Sequence, residues 1–275
     1  MSTSGLDDRL ATERRVAVAG DWHGDVRWVQ RAVPALARQH SDVRTILHLG
    51  DLGVWSQERP PGFLGTVDYW LGRSGIDRLL LTPGNHDDWH WLEAEFATAP
   101  GRAVSLSDRV WALPRGLRFQ IGGRVFLSFG GAASMDYEAR IEGRSWWAEE
   151  APTELEAEYA AAGGPVDVLL THDMVDGGTR EAAEQLARGR WSPEAQAYSA
   201  MVRARVTAVW EEVRPRLLAH GHMHVTGGRT LSDGRRVYSM GCEWMRGNLA
   251  VLELSALKWD WVAFPRLERE GEGGR

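Results

Sequence analysis

The sequence predicts an α/β fold built on a parallel sheet, and three observations predict it. Residues 15–20, 45–49 and 77–81 are short apolar runs that read as buried strands. The stretches between them carry helical spacing. Each run leads into glycine followed by an acid or amide: Gly20-Asp21, Gly50-Asp51 and Gly84-Asn85. Alternating strands and helices make a parallel sheet, and such sheets hold ligands at their carboxyl edge.

The elements follow in order. Residues 1–14 are polar and read as a frayed lead-in. The first strand ends in Asp21-Trp22-His23-Gly24-Asp25, and residues 26–39 are helical, with Pro34 a kink or early break. The second strand ends in Gly50-Asp51-Leu52-Gly53. A Pro/Gly-rich loop over 57–62 precedes a helix over 63–72. The third strand stops at Pro83-Gly84, where the chain turns and leaves Asn85, His86 and Asp87 in a row. After a helix over 88–97 the rhythm shortens. Runs at 102–106, 110–113, 117–121 and 124–129 read as an antiparallel or mixed sheet, with Gly122-Gly123 as a two-residue hairpin turn. Residues 130–150 are a loop without period. Thr153 caps a helix over 152–162 that Gly163-Gly164 ends. A strand over 166–170 runs into Thr171-His172-Asp173. Residues 175–212 are helical, broken near Gly189 and Pro193, with few apolar positions, and form a candidate cap over the site. Residues 216–219 lead to His220-Gly221-His222-Met223-His224, and runs at 236–240, 248–254 and 257–264 complete the sheet. Residues 266–275 read as a disordered tail. There is no internal repeat and no linker, so 15–265 reads as one domain.

Composition narrows the class. A chain of 275 residues buries a full core without disulfides. Lys plus Arg is 32 against 38 for Asp plus Glu, a net charge of −6 that argues against a general nucleic-acid coat. Cys242 is the only cysteine, which excludes an internal disulfide and favours a reducing compartment. With no apolar signal core and no run of membrane-spanning length, the expected location is cytoplasmic and no membrane partner is expected. Among 14 tryptophans, Trp28, Trp70 and Trp210 fall at helical positions and read as core.

The chemistry lies in the polar residues at strand ends: Asp21, His23, Asp51, Asn85, His86, His172, His222 and His224. Carboxylate and amide oxygens with imidazoles suit Mn²⁺, Fe, Zn²⁺ or Ni²⁺, and the lack of thiolates argues against a structural zinc site. Asp-x-His and His-x-His each put two donors on one side of an extended segment. Asp51 stands alone after its strand, as a bridging carboxylate would. Two cations ~3.5–4 Å apart can grip a phosphoryl group and activate a hydroxide. Any one of these motifs is more often a turn or a surface pair. Five of them, at strand ends and in order, are not.

The set Asp21-x-His23-Gly24, Gly50-Asp51, Gly84-Asn85-His86-Asp87, His172 and Gly221-His222-x-His224, spanning about residues 16–225, resembles the calcineurin-like metallophosphoesterases. The resemblance implies a four-layer α/β/β/α sandwich of two mixed β-sheets flanked by helices, with a dinuclear metal site between the sheets. By resemblance, Asp21, His23, Asp51 and His224 hold one ion, while Asp51, Asn85, His172 and His222 hold the other. His86 is similar to the family histidine that stabilises the transition state or protonates the leaving group, and Asp87 would orient it. Gly53 stands where the family often has Asp or Asn, which bears on contacts behind the ligands and leaves the ligand set intact. The implied activity is hydrolysis of a phosphate mono- or diester by a metal-bridging hydroxide, with two divalent ions, Mn²⁺ first.

Other residues carry weaker signals. His48 and His220 read as buried, hydrogen-bonded core histidines, His40 and His90 as surface, and Cys242 as a small buried hydrophobe. In the loop 130–150, Arg140, Arg144, Trp146 and Trp147 have two readings. They contact substrate, arginines on phosphate and indoles on a base. Or the tryptophans pack and the arginines pair with Glu138, Glu142, Glu149 and Glu150. The first favours a nucleotide or nucleic-acid ester. The alternatives are a phosphatase for one small pathway metabolite, a phosphoprotein phosphatase and a non-catalytic scaffold.

Overall fold

The computed structural model describes residues 8–56 and 60–264. The chain forms β1 (Arg15–Ala19), α1 (Val26–Gln39), β2 (Thr45–His48), α2 (Phe63–Arg73), β3 (Arg78–Leu81) and α3 (Trp89–Thr98). Four strands follow, β4 (Val104–Ser105), β5 (Val110–Ala112), β6 (Arg118–Ile121) and β7 (Arg124–Phe129). Then come α4 (Glu154–Ala162), β8 (Val168–Thr171), α5 (Arg180–Arg188), α6 (Pro193–Val213) and β9 (Leu217–His220). The chain closes with β10 (Gly227–Thr230), β11 (Arg236–Ser239), β12 (Leu249–Glu253) and β13 (Lys258–Trp261).

Local chemistry sets many of the boundaries. The Asp25 carboxylate accepts from the Trp28 N–H and starts α1, and Asp88 does the same for Trp91 at α3. Thr153 and Glu156 form a capping box at α4. Gly122 and Gly123 turn β6 into β7 at φ 54° and 75°, a conformation that favours glycine. Pro34 does not break α1, which runs on to Gln39.

The strands make two mixed sheets. The first has the order β13-β12-β1-β2-β3-β5-β4 and the second β10-β11-β9-β8-β7-β6. Strands β1, β2, β3 and β5 are mutually parallel, as are β7, β8, β9 and β11. Side chains alternate across β1. Val16 and Val18 pack between the sheets with Leu47, Leu80, Phe126, Leu170 and Leu217. Ala17 and Ala19 face the other way, against Val29, Leu36 and Val67 of α1 and α2. Outside the second sheet, Leu127, Leu169 and Leu218 pack on Ala157 of α4 and Val206, Val209 and Val213 of α6. The result is the four-layer α/β/β/α sandwich.

Several expectations change. Residues 8–12 form a short 3₁₀ turn with Leu10 buried, so 8–14 is not a frayed lead-in; residues 1–7 and the tail 266–275 lie outside the described residues. β4 and β5 extend the first sheet and not the second. β10 is an addition, because a Gly-Gly edge strand with three exposed residues has no apolar pattern. The proposed cap over 175–212 is mostly a layer of the sandwich, since the apolar side of α6 covers the second sheet. Only its start reaches the 130–150 loop, where the Tyr198 hydroxyl donates to Glu150 at 3.0 Å. Among the described residues no helix is long and apolar enough to cross a membrane.

Candidate metal centre

Sheet register assembles the site. Ala19 pairs with His48 and His48 with Leu81, so β1, β2 and β3 end level. Asp21, Asp51 and Asn85 therefore leave one edge together. In the second sheet, Leu170 pairs with Ala219, and His172, His222 and His224 follow at the matching edge.

The donors cluster in two groups around Asp51. Ligand atoms of Asp21, His23, Asp51 and His224 all lie within 4.8 Å of one another. His224 Nε2 is 2.9 Å from Asp21 Oδ2, and His23 Nε2 is 3.6 Å from Asp51 Oδ2. On the other side, His172 Nε2 is 3.3 Å from Asp51 Oδ2 and 3.0 Å from Asn85 Oδ1. The His222 ring centre lies 5.2 Å from that of His172. Asp51 Oδ1 accepts the His86 backbone N–H at 2.7 Å, while Oδ2 is buried with no hydrogen-bond partner among the described residues. A buried carboxylate oxygen without a partner is costly unless a cation meets it. The residues present thus fit divalent cations: hard oxygens and imidazoles, with an orphaned oxygen between the two groups.

The backbone is bent to achieve this. His23, Asp51, His222 and His224 sit at φ 45°, 51°, 64° and 52°, a left-handed region that non-glycine residues occupy at a cost of about 1–3 kcal/mol each. Gly84 is required as well, because a Cβ there would collide with the Asp51 carboxylate.

Asp87 does not orient His86. Its two oxygens accept backbone N–H groups from Gly84 (2.8 Å), Asp51 (3.0 Å), Gly53 (3.1 Å) and Val54 (3.0 Å). It ties the second and third motif loops together, and Gly53 serves it through its N–H. Burial, with the Asp51 charge adding, pushes its carboxyl up to about 6.

Residues that sequence reasoning missed hold the donors. His172 Nδ1 is 2.5 Å from the Leu49 carbonyl, which leaves Nε2 toward Asp51 and Asn85. Glu243 Oε2 is 2.8 Å from His23 Nδ1, and the Glu243 N–H donates to the Asp21 carbonyl at 2.8 Å. The Ser134 hydroxyl donates to Glu150 at 2.7 Å and so can only accept from Asn85 Nδ2, at 3.0 Å. That turns Asn85 Oδ1 toward His172. Asn248 accepts from the indoles of Trp22 (3.0 Å) and Trp28 (2.7 Å) and donates to the Asp21 carbonyl (3.1 Å). None of these partners is close in sequence, so no spacing could signal them.

The carboxylates shape the protonation of the histidines. Burial alone would lower His23 and His172. The close approach of the Asp51 carboxylate to both rings, with Glu243 hydrogen-bonding His23, outweighs it and holds them at about 11 and about 10. Burial and the His172 charge push His222 down to about 3.

The remaining candidates divide. His48 is buried but not hydrogen-bonded: among the described residues neither ring nitrogen has a partner, and its ring meets that of Trp22 edge-on at 4.8 Å. His220 Nε2 is likewise unpartnered, while Nδ1 lies 3.0 Å from the Gly221 carbonyl. Cys242 is half-buried, with Sγ 3.3 Å from Met245 Sδ.

Arg140 is gripped by Asp136 at 2.7 and 2.9 Å and lies across His86, with Nη1 2.7 Å from Nδ1 and Nη2 3.2 Å from Nε2. Arg144 is exposed and makes no ion pair among the described residues. Neither arginine pairs with the loop glutamates. A cavity of about 470 Å³ beside His86 is lined by both arginines, with Trp55, Asp88 and Trp147. Trp146 is not in its lining. Its indole N–H donates to Glu150 at 3.0 Å and its ring packs on Tyr137, so it serves the loop.

A family model described as calcineurin-like phosphoesterase matches residues 14–226. Among solved structures, one from Thermus thermophilus is similar at 16% identity and a TM-score of 0.54, covering 91% of this chain and 98% of that one. A dimetal phosphatase from Danio rerio is similar at 14% identity and a TM-score of 0.53, covering 88% and 93%. At these identities the likeness concerns the fold alone. No curated protein matches the sequence.

Proposed function

Because the chain belongs to the calcineurin-like phosphoesterase family, we propose that it hydrolyses a phosphate ester with the help of two divalent cations. The observation that carries this reading is Asp51 Oδ2, buried, unpartnered and set between His23 and His172. Asp21, His23, Asp51 and His224 would hold one ion, and Asp51, Asn85, His172 and His222 the other. Bound there, the ions would neutralise phosphoryl charge and supply an ionised water as nucleophile.

The rest is the work of the chain. Asn85 offers its oxygen because Ser134 engages its nitrogen. His86 and Arg140 face the cavity with N–H groups that can meet phosphoryl oxygens, and Asp136 keeps the guanidinium in place. Mn²⁺ is proposed first, with Fe, Zn²⁺ and Ni²⁺ as alternatives that oxygen and nitrogen donors without thiolate also suit. The nucleotide or nucleic-acid reading loses Trp146, and its aromatic contact would have to come from Trp55 and Trp147. The complete donor set favours an enzyme over a scaffold. A panel of phosphomonoesters, phosphodiesters, nucleotides and a phosphopeptide separates the substrate readings.

The test is metal and activity together. Elemental analysis of the fresh protein should find two transition-metal ions per chain. Asp51→Asn should lower activity by orders of magnitude, because a neutral amide bridges two cations poorly. Full activity in chelator, with no metal found, would overturn the reading.

A further inference from the structure

We propose that the cavity beside His86 receives the leaving group of the substrate, and that this group carries a second phosphoryl group. The inference rests on the phosphoesterase reading above and names a substrate class for it. Two guanidiniums line the cavity, and their charges are not equally met. Arg140 is held by both oxygens of Asp136 and is committed to the His86 side. Among the described residues Asp88 is the one carboxylate lining the cavity, and it is already used. Its Oδ2 accepts the Ser56 N–H (3.2 Å) and hydroxyl (2.7 Å), and its Oδ1 accepts the Trp91 N–H at 3.1 Å. Arg144 therefore brings a positive charge to a concave surface with no acid of the chain to meet it among the described residues.

Size points the same way. At about 470 Å³ the cavity far exceeds what the transferring phosphoryl needs, and it opens beside His86. Trp55 and Trp147 form its apolar wall, suited to a carbon skeleton that joins two anionic ends. A guanidinium offers paired N–H donors that match phosphoryl oxygens in a bidentate contact. A substrate with a plain alkyl leaving group would use neither Arg144 nor most of the space.

Three esters test this with Mn²⁺-loaded protein: propyl phosphate, 3-(phosphonooxy)propionate and propane-1,3-diol bisphosphate. The bisphosphate should exceed propyl phosphate at least tenfold in kcat/KM, chiefly through KM. Arg144→Ala should bring the ratio close to one, and Arg144→Lys should keep part of it. A wild-type ratio near one, or a ratio unmoved by Arg144→Ala, overturns the proposal. Equal preference for 3-(phosphonooxy)propionate overturns the phosphoryl assignment, since any anion would then serve. Binding gives a readout independent of turnover. By calorimetry, propane-1,3-bisphosphonate should bind more tightly than propylphosphonate, and the difference should vanish in Arg144→Ala. If p-nitrophenyl phosphate and all three esters are left intact, the phosphoesterase reading fails. The bisphosphonate measurement still decides on the subsite.

Discussion

His86 meets the cavity with the Arg140 guanidinium across its ring, and a guanidinium can only donate. The ring must offer it a lone pair, which suits a neutral imidazole that hydrogen-bonds the transferring group better than a proton donor. His86→Ala should keep any bound metal and lose about 10²–10³-fold in rate, the cost of removing one preorganised donor. The loss should be similar for p-nitrophenyl phosphate and an alkyl phosphate. A much larger loss for the alkyl ester would show that His86 protonates the leaving oxygen. Glu243 holds His23 by Nδ1 and would act through it on a bound ion. Glu243→Ala should weaken metal affinity by about 10–100-fold, measured by competition with a chelating dye, and Glu243→Gln should recover part of it. Unchanged affinity would make the contact incidental. His23 was legible in the sequence because Asp21-x-His23 is a local pattern. Glu243 was not, because it arrives from a loop 220 residues further on.

At the scale of the element, β2 carries a misfit. His48 is buried beside Trp22 with neither nitrogen paired among the described residues, and burial holds it down at about 3, so it is neutral. An unsatisfied buried polar group costs about 1–3 kcal/mol, and an apolar replacement of similar shape removes that cost. His48→Leu should therefore hold or raise Tm, by about 2–4 °C for each kcal/mol recovered. A fall of several degrees in a thermal melt would show that the ring is paired after all. The strands themselves were legible, since four-residue apolar runs flanked by Gly and Asp have few other readings. Sheet membership was less so. β4 and β5 are too short for pattern to say which sheet they extend.

For the whole molecule, the centre is a clasp between two sheets. Asp21, Asp51 and Asn85 follow strands of the first, and His172, His222 and His224 follow strands of the second. Metal at a hundredfold excess over Kd adds about 2.7 kcal/mol, so Tm should rise by about 5–10 °C and fall back with chelator. The increment should grow with pH. His23 and His172 are raised from an ordinary 6.5 to about 11 and about 10. In chelated protein the stability they contribute is complete below 6.5 and is lost as pH climbs through 10–11. The same protons compete with metal, so uptake near neutral pH should release protons and affinity should rise with pH. An increment that shrinks between pH 6 and 9 would contradict this.

The order and identity of the donors belong to the sequence alone. Each motif is a strand end whose donors lie within a few residues of one another, and such patterns are complete locally. The division of labour among them came only with the tertiary structure. Asp51 and Asp87 are both acids in motif loops that follow a strand. Yet one keeps a buried oxygen open between histidines, and the other is filled by four backbone N–H groups. Trp146 and Trp147 are neighbours, yet one props the loop and the other lines the cavity. A donor's type is chemistry carried by the residue itself. Its partner is set by sheet register and by loops that meet across hundreds of residues, and no local pattern records that.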